Sequence, residues 1–235
     1  MVDGFTAVLA LIPARGGSKG VRRKNLRMVG GRPLLEYTIS AAQRSALIDR
    51  TFVSSEDPEI LDLAASLGAE TVERPADFAT DQASAVDVVT HFIDWLPKEL
   101  RRQDPCIVYL QPTSPLRTSE HIDAALHRMV ELGKSTLFSV TELSASPYKS
   151  FRIDESGQLQ SLFDEKLSNC RRQDLPRTYK ANGAIYVFRI SDFLERGGFP
   201  SNGSVPFVMS EEQSVDIDTE EDIILVEKLL EQLHG

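Results

Sequence analysis

Short apolar runs alternate along this chain with longer segments of helical period. The runs AVLALIPA (7–14), RTFVSS (50–55), AETVERP (69–75) and CIVYLQP (106–112) are nearly continuous in apolar or β-branched residues, which predicts strands buried on both faces. Between them LLEYTISAAQRS, PEILDLAASLG and SAVDVVTHFIDWL carry the helical pattern, and Pro58 and Gly68 punctuate the second helix at its first turn and its end. A helix over 119–132 and a strand STLFSV (135–140) continue the alternation. This order predicts an α/β fold, a doubly wound and mostly parallel Rossmann-like sheet with helices on both faces.

The rhythm breaks between Thr141 and Tyr179. That stretch is polar, and SFRIDESGQLQSLF reads as a hairpin turning at Glu155-Ser156-Gly157. A connection of this length is rarely idle in a compact domain. The strand AIYVFRI (184–190) and the amphipathic helix EEDIILVEKLLEQL (220–233) then complete the pattern. The expected organisation is a core of residues 1–140 and 180–235 interrupted by an inserted arm, 141–179.

Composition narrows the class. The chain has 235 residues, 41% apolar and 26% charged, ordinary values for a globular protein. Its first residues lack a basic leader, and the apolar run there is too short for a signal or a membrane span. Cys106 and Cys170 are far apart and form no C-x-x-C, which fits a reducing cytoplasm and no zinc site. A net charge of -9 argues against a nucleic-acid partner.

Against that acidic background, residues 11–35 hold Arg15, Lys19, Arg22, Arg23, Lys24, Arg27 and Arg32 and no Asp or Glu. The loop follows the first strand, and ligands of open parallel sheets bind beyond the carboxyl ends of strands. Gly16 and Gly17 let backbone N–H groups approach phosphate oxygens, while Arg15, Lys19 and Lys24 offer charged side-chain donors. The loop fits neither the P-loop nor the G-x-G-x-x-G pattern, and its plainer reading is a solvated turn.

Two further segments carry chemistry. In SVDIDTEED (214–222), Asp216 and Asp218 lie two apart in an extended stretch, so their carboxylates share a side and suit Mg²⁺ (or Mn²⁺). The plainer reading gives Asp218 or Thr219 the cap of the following helix, and both can hold. In LQPTSPLRT (110–118) two prolines fix a turn from which Gln111, Thr113, Ser114 and Arg117 can meet a ligand; equally, Thr118 or Ser119 can cap the next helix. The histidines form no H-x-x-x-H and sit beside no nucleophile, so none is assigned as a base.

Taken in order, IPARGGSKGVRRKN, ERPADFATDQAS, LQPTSPLRT, NGAIYVF and DIDTEED resemble the acylneuraminate cytidylyltransferases, the CMP-sialic acid synthetases, with relatives acting on legionaminic and pseudaminic acids. The match runs from about Ala7 to Leu230. The Kdo cytidylyltransferases open similarly, but GGSKG followed by RKN departs from their loop. The resemblance implies transfer of CMP from CTP to a nonulosonic acid, for cell-surface polysaccharide. It implies nucleotide contacts from Arg15, Gly16, Gly17, Ser18, Lys19, Lys24, Asn25, Arg74 and Ser84. On the sugar side it implies Gln111, with Thr113, Ser114, Lys149 and Asn182. Asp216 and Asp218 take the metal, and these two with Arg15 and Lys24 take the catalytic role. It also implies a homodimer whose arms cross a two-fold axis, bringing Lys149 and one of Arg171, Arg172 or Arg177 to the partner's site. The competing readings are a nucleotidyltransferase using another sugar acid or GTP, and an idle nucleotide-binding module.

Overall fold

The computed structural model describes residues 5–80 and 82–234, the side chains of 233 and 234 excepted. The first four residues, Asp81 within the 73–84 segment and the His234 side chain lie outside that description.

In chain order the strands are β1 (Val8–Pro13), β2 (Met28–Val29), β3 (Arg32–Pro33), β4 (Arg50–Ser55), β5 (Glu70–Glu73), β6 (Cys106–Tyr109), β7 (Leu137–Glu142), β8 (Phe151–Ile153), β9 (Leu159–Ser161), β10 (Tyr179–Arg189) and β11 (Val205–Val208). The helices are α1 (Leu34–Arg44), α2 (Pro58–Ser66), α3 (Ala85–Trp95), α4 (Lys98–Arg102), α5 (Ser119–Glu131), α6 (Glu165–Ser168), α7 (Ile190–Arg196) and α8 (Glu220–His234). Seven strands form one sheet in the order β11-β7-β10-β6-β1-β4-β5, and only β10 runs against the others.

Alternation along β1 divides the core. Val8, Ala10 and Ile12 face α1, α2 and α5, whose Leu35, Ile39, Ile60, Ile122 and Leu126 are buried with them. Leu9 and Leu11 face α3 and α7, against Phe92, Ile93 and Phe193. Both faces of the sheet are covered, which accounts for strands without a polar face.

Local chemistry sets the helix starts. The Asp57 carboxylate accepts from Glu59 N–H at 2.9 Å ahead of Pro58, and Gly68 leaves α2 at φ 80°. Beyond the sequence pattern the structure adds the β2–β3 hairpin, α4, α7 and β11. The last is an edge strand holding Pro206, whose missing N–H is tolerated only at an edge. β10 is longer than its apolar run and shifts register between Ala181 and Tyr186. Between β7 and β10 the chain leaves the sheet as the hairpin β8–β9 and short helical turns.

Candidate active site

The carboxyl ends of β1, β4, β5, β6 and β7 and the amino end of β10 lie at one edge of the sheet, as their pairing requires. There a cleft of about 350 Å³ opens between the loop after β1, the start of α3 and the turn after β6. A wider groove of about 840 Å³ between α1, α5 and α8 is lined by charges of both signs, among them Arg32, Arg44, Glu120 and Glu227; it takes in Pro115 to Thr118 of the turn after β6 but no residue of 14–25 or 214–222.

The basic loop is braced from behind. Gly16 N–H donates to Glu56 Oε1 at 2.8 Å, and Asn25 Nδ2 donates to the Arg15 carbonyl at 2.9 Å. Arg23, at φ 52°, pairs with Asp57 at 3.1 Å and Glu59 at 3.0 Å. Ser18 Oγ donates to the Val21 carbonyl and accepts from Lys24 N–H. Arg15, Gly17, Ser18, Lys19, Lys24 and Asn25 line the cleft. Gly16 does not, because its N–H is already committed to Glu56 and its Cα backs onto Asp57. Glu56 escaped the sequence reading, although an acidic residue just past the end of β4 was the available signal.

Deeper in, Arg74 is 4% exposed and pairs with Glu56 Oε2 at 3.2 Å. Burial lowers its pKa, opposed by Glu56, and its buried Nε has no protein partner among the described residues. Phe78, Val88 and Tyr109 form an apolar wall beside it, again unassigned from sequence. Ser84 lines the same space, yet its hydroxyl also closes a capping box with Asp87 at the start of α3.

The acidic segment faces the loop. Ile217 is fully buried between two outward carboxylates, as alternation along an extended stretch demands. Lys24 Nζ donates to Asp218 Oδ1 at 2.9 Å and to the Ile217 carbonyl at 2.7 Å. Burial raises the Asp216 pKa, the neighbouring Thr113 hydroxyl opposes the rise, and the Asp218 charge adds to it. Its outer face meets solvent, which limits the rise. Thr219, not Asp218, caps α8, closing a box with Asp222, so Asp218 is left for the cleft. A Cβ on Gly20 would strike the Asp218 carbonyl, so the two segments touch there through a glycine.

Gln111 and Thr113 line the cleft. Three other expected sugar-side residues do not. Ser114 is fully buried behind the turn. Asn182 is drawn into the interior, bonded to Ser139, Ser214 and Ala184 N–H. Lys149 lies out on the arm, where Nζ donates to the Ser168 carbonyl at 3.1 Å. A satellite core of Val21, Leu116 and Ile217 with Val29, Ile223 and Val226 pins the three motifs together.

Asp216 and Asp218 are hard oxygen donors that fit a divalent ion such as Mg²⁺ or Mn²⁺. Among the described residues no group of three His, Cys, Asp or Glu could close around one, so a substrate would have to complete its coordination.

A doubly wound sheet with cations gathered beyond β1 and the Asp218 carboxylate opposite them, Asp216 standing just outside the cleft lining, is an arrangement that fits a nucleotidyltransferase. The family model described as Cytidylyltransferase matches residues 9–228, and the chain belongs to that family. It is 36% identical to the CMP-N,N'-diacetyllegionaminic acid synthase of Legionella pneumophila, over 95% of this chain and 96% of that protein. It is 34% identical to the N-acylneuraminate cytidylyltransferase of Escherichia coli O18:K1:H7 over 94% of this chain, but spans only 51% of that protein. Among solved structures, CMP:2-keto-3-deoxy-manno-octonic acid synthetase complexed with CTP superposes with a TM-score of 0.70 at 16% identity, covering 97% of this chain and 100% of that one; this likeness speaks to the fold.

Proposed function

We propose that this chain transfers the CMP unit of CTP to the anomeric hydroxyl of a nonulosonic acid of the sialic or legionaminic type, releasing pyrophosphate. The observation that carries the reading is the Lys24–Asp218 bridge, which sets the phosphate-facing loop against the Asp218 carboxylate in one cleft. Family membership points to CTP as the donor.

In this reading Arg74 and the Phe78–Tyr109 wall receive the nucleoside, and Arg15, Lys19 and Lys24 meet the triphosphate. The acceptor oxygen bonds to the α-phosphorus as the bridge to the β-phosphate breaks, and the departing charge grows on pyrophosphate. The main chain of the loop that carries these cations is already braced by Asn25, Glu56 and Asp57, so they neutralise that charge with little reorganisation. A divalent ion on Asp216 and Asp218 would supply further charge neutralisation at the α-phosphate. Gln111 and Thr113 orient the sugar acid. No histidine lines the cleft among the described residues, so the hydroxyl proton passes to water, with a carboxylate such as Asp218 able to relay it.

The same reading makes the protein a cytoplasmic homodimer. Phe151, Ile153, Leu159, Leu162 and Phe163 are between 47% and 72% exposed on the arm, an apolar patch that a second subunit would cover. Tyr148 is half-buried, its ring against Phe163 at 5.0 Å, and so stiffens the arm. No described helix is long and apolar enough to cross a membrane, and both cysteines are free thiols. The test is pyrophosphate release from each of the four ribonucleoside triphosphates with a panel of nonulosonic acids. CTP with a sialic- or legionaminic-type acid should react; preferential use of GTP, or indifference to the sugar, would overturn the assignment.

A further inference from the structure

Arg117 is the largest fully buried side chain of the molecule, and no carboxylate pairs with it among the described residues. Its Nη1 donates to two main-chain carbonyls, Gln111 at 3.1 Å and Ala184 at 3.2 Å, while Nε and Nη2 have no protein partner among the described residues. Burial alone lowers its pKa to about 9, which leaves it charged at neutral pH. A cation held this way is costly, and an apolar side chain of similar volume would fill the space more cheaply.

What the guanidinium joins is specific. Gln111 leaves β6 at the cleft, and Ala184 belongs to β10 within its register shift. Next to Ala184, Gly183 has φ 75°, and a Cβ there would collide with Gln111 Oε1. The Gln111 side chain therefore rests on the Gly183 backbone. One buried cation holds both the main chain that carries the amide and the strand segment it rests on.

We propose that Arg117 is a positioning residue for the acceptor: it fixes Gln111 against Gly183 so that the amide meets the sugar acid already oriented. The proposal rests on the acceptor role given to Gln111 above. A site that hydrogen-bonds its substrate discriminates only while its polar groups are held in place.

The first test needs no turnover. The Gln111 side-chain amide signals in a ¹H–¹⁵N NMR spectrum, identified by their loss in Gln111→Ala, should move towards free-glutamine positions in both Arg117→Lys and Arg117→Met. Unchanged signals would overturn the proposal whatever the enzyme's substrate. Lys keeps the charge with a single donor head, so it supplies a folded variant if Met does not. The second test is kinetic. Arg117→Met should raise the acceptor KM about tenfold and leave the CTP KM within about twofold, with partial rescue by Lys. In a Gln111→Ala background the same substitution should change acceptor kcat/KM by less than about twofold, because its effect runs through Gln111. Equal loss of both substrates, or full additivity with Gln111→Ala, would make Arg117 a core residue only. Failure of every sugar acid to react, with the Gln111 signals shifting as expected, would remove the acceptor reading and leave the clamp.

Discussion

Lys24 Nζ lies 2.9 Å from Asp218 Oδ1, and this one ion pair joins residues 194 positions apart. Replacing Asp216 or Asp218 by Asn keeps shape and hydrogen bonding but removes charge. Each should cut kcat by at least about a hundredfold, the scale of a lost electrostatic contact to the reacting phosphate. Circular dichroism and melting should stay near wild type, since Thr219 and Asp222, not Asp218, hold the helix start. Near-normal turnover in both variants at saturating Mg²⁺ would remove the metal assignment. A second residue-scale prediction concerns His121, whose Nδ1 accepts from Thr118 N–H at the start of α5. Burial lowers its pKa below 6.5, the Arg117 charge adds, and Glu120 opposes. The unfolded chain therefore binds a proton that the folded chain resists, so stability falls as pH drops from about 6.5 through the folded pKa. His121→Gln retains a capping partner and should lose less urea stability between about pH 7.5 and about pH 5.5 than the wild type. An equal acid loss in both proteins would contradict this.

At the scale of elements, the strands buried on both faces were legible because continuous apolar runs have few other uses in a doubly wound sheet. β11 was not, since Pro206 in a four-residue edge strand reads as a breaker, and the β2–β3 hairpin is only two residues a side. The site shows the same division. Charge segregation pointed to Lys24 and the two-residue spacing to Asp218, and both line the cleft, while Asp216 is not among its lining residues. Burial could not be read from residue type, so Asn182 and Ser114 passed for ligand contacts while they serve or fill the interior. Long-range bracing was equally invisible, because nothing local in SSEDPE shows that Glu56 meets both Gly16 and Arg74. The satellite core yields a prediction at this scale. Ile217→Ala removes a fully buried side chain and should cost about 2–5 kcal/mol of stability. Since Ile217 lies between the two carboxylates, turnover should fall as well, and at a temperature where the variant is still folded. Lost stability with unchanged kcat would separate the packing of this core from the alignment of the site.

At the scale of the whole molecule, the exposed apolar residues of β8, β9 and the following turn are the surface that the proposed second subunit would cover. Light scattering at micromolar concentration should give twice the chain mass, and deleting residues 151–163 should leave an inactive or poorly soluble protein. A fully active monomer would contradict sites shared across the two-fold axis. The proposed dimer, the braced loop and the Gln111 turn all serve one claim, that a bond is made to the α-phosphorus of CTP by a sugar hydroxyl. The direct measurement is ³¹P NMR of the protein with CTP, Mg²⁺ and N,N'-diacetyllegionaminic or N-acetylneuraminic acid. The account predicts a phosphodiester signal and a pyrophosphate signal growing together, each requiring both substrates. Release of orthophosphate with CDP, or of pyrophosphate with free CMP and no phosphodiester, would contradict it.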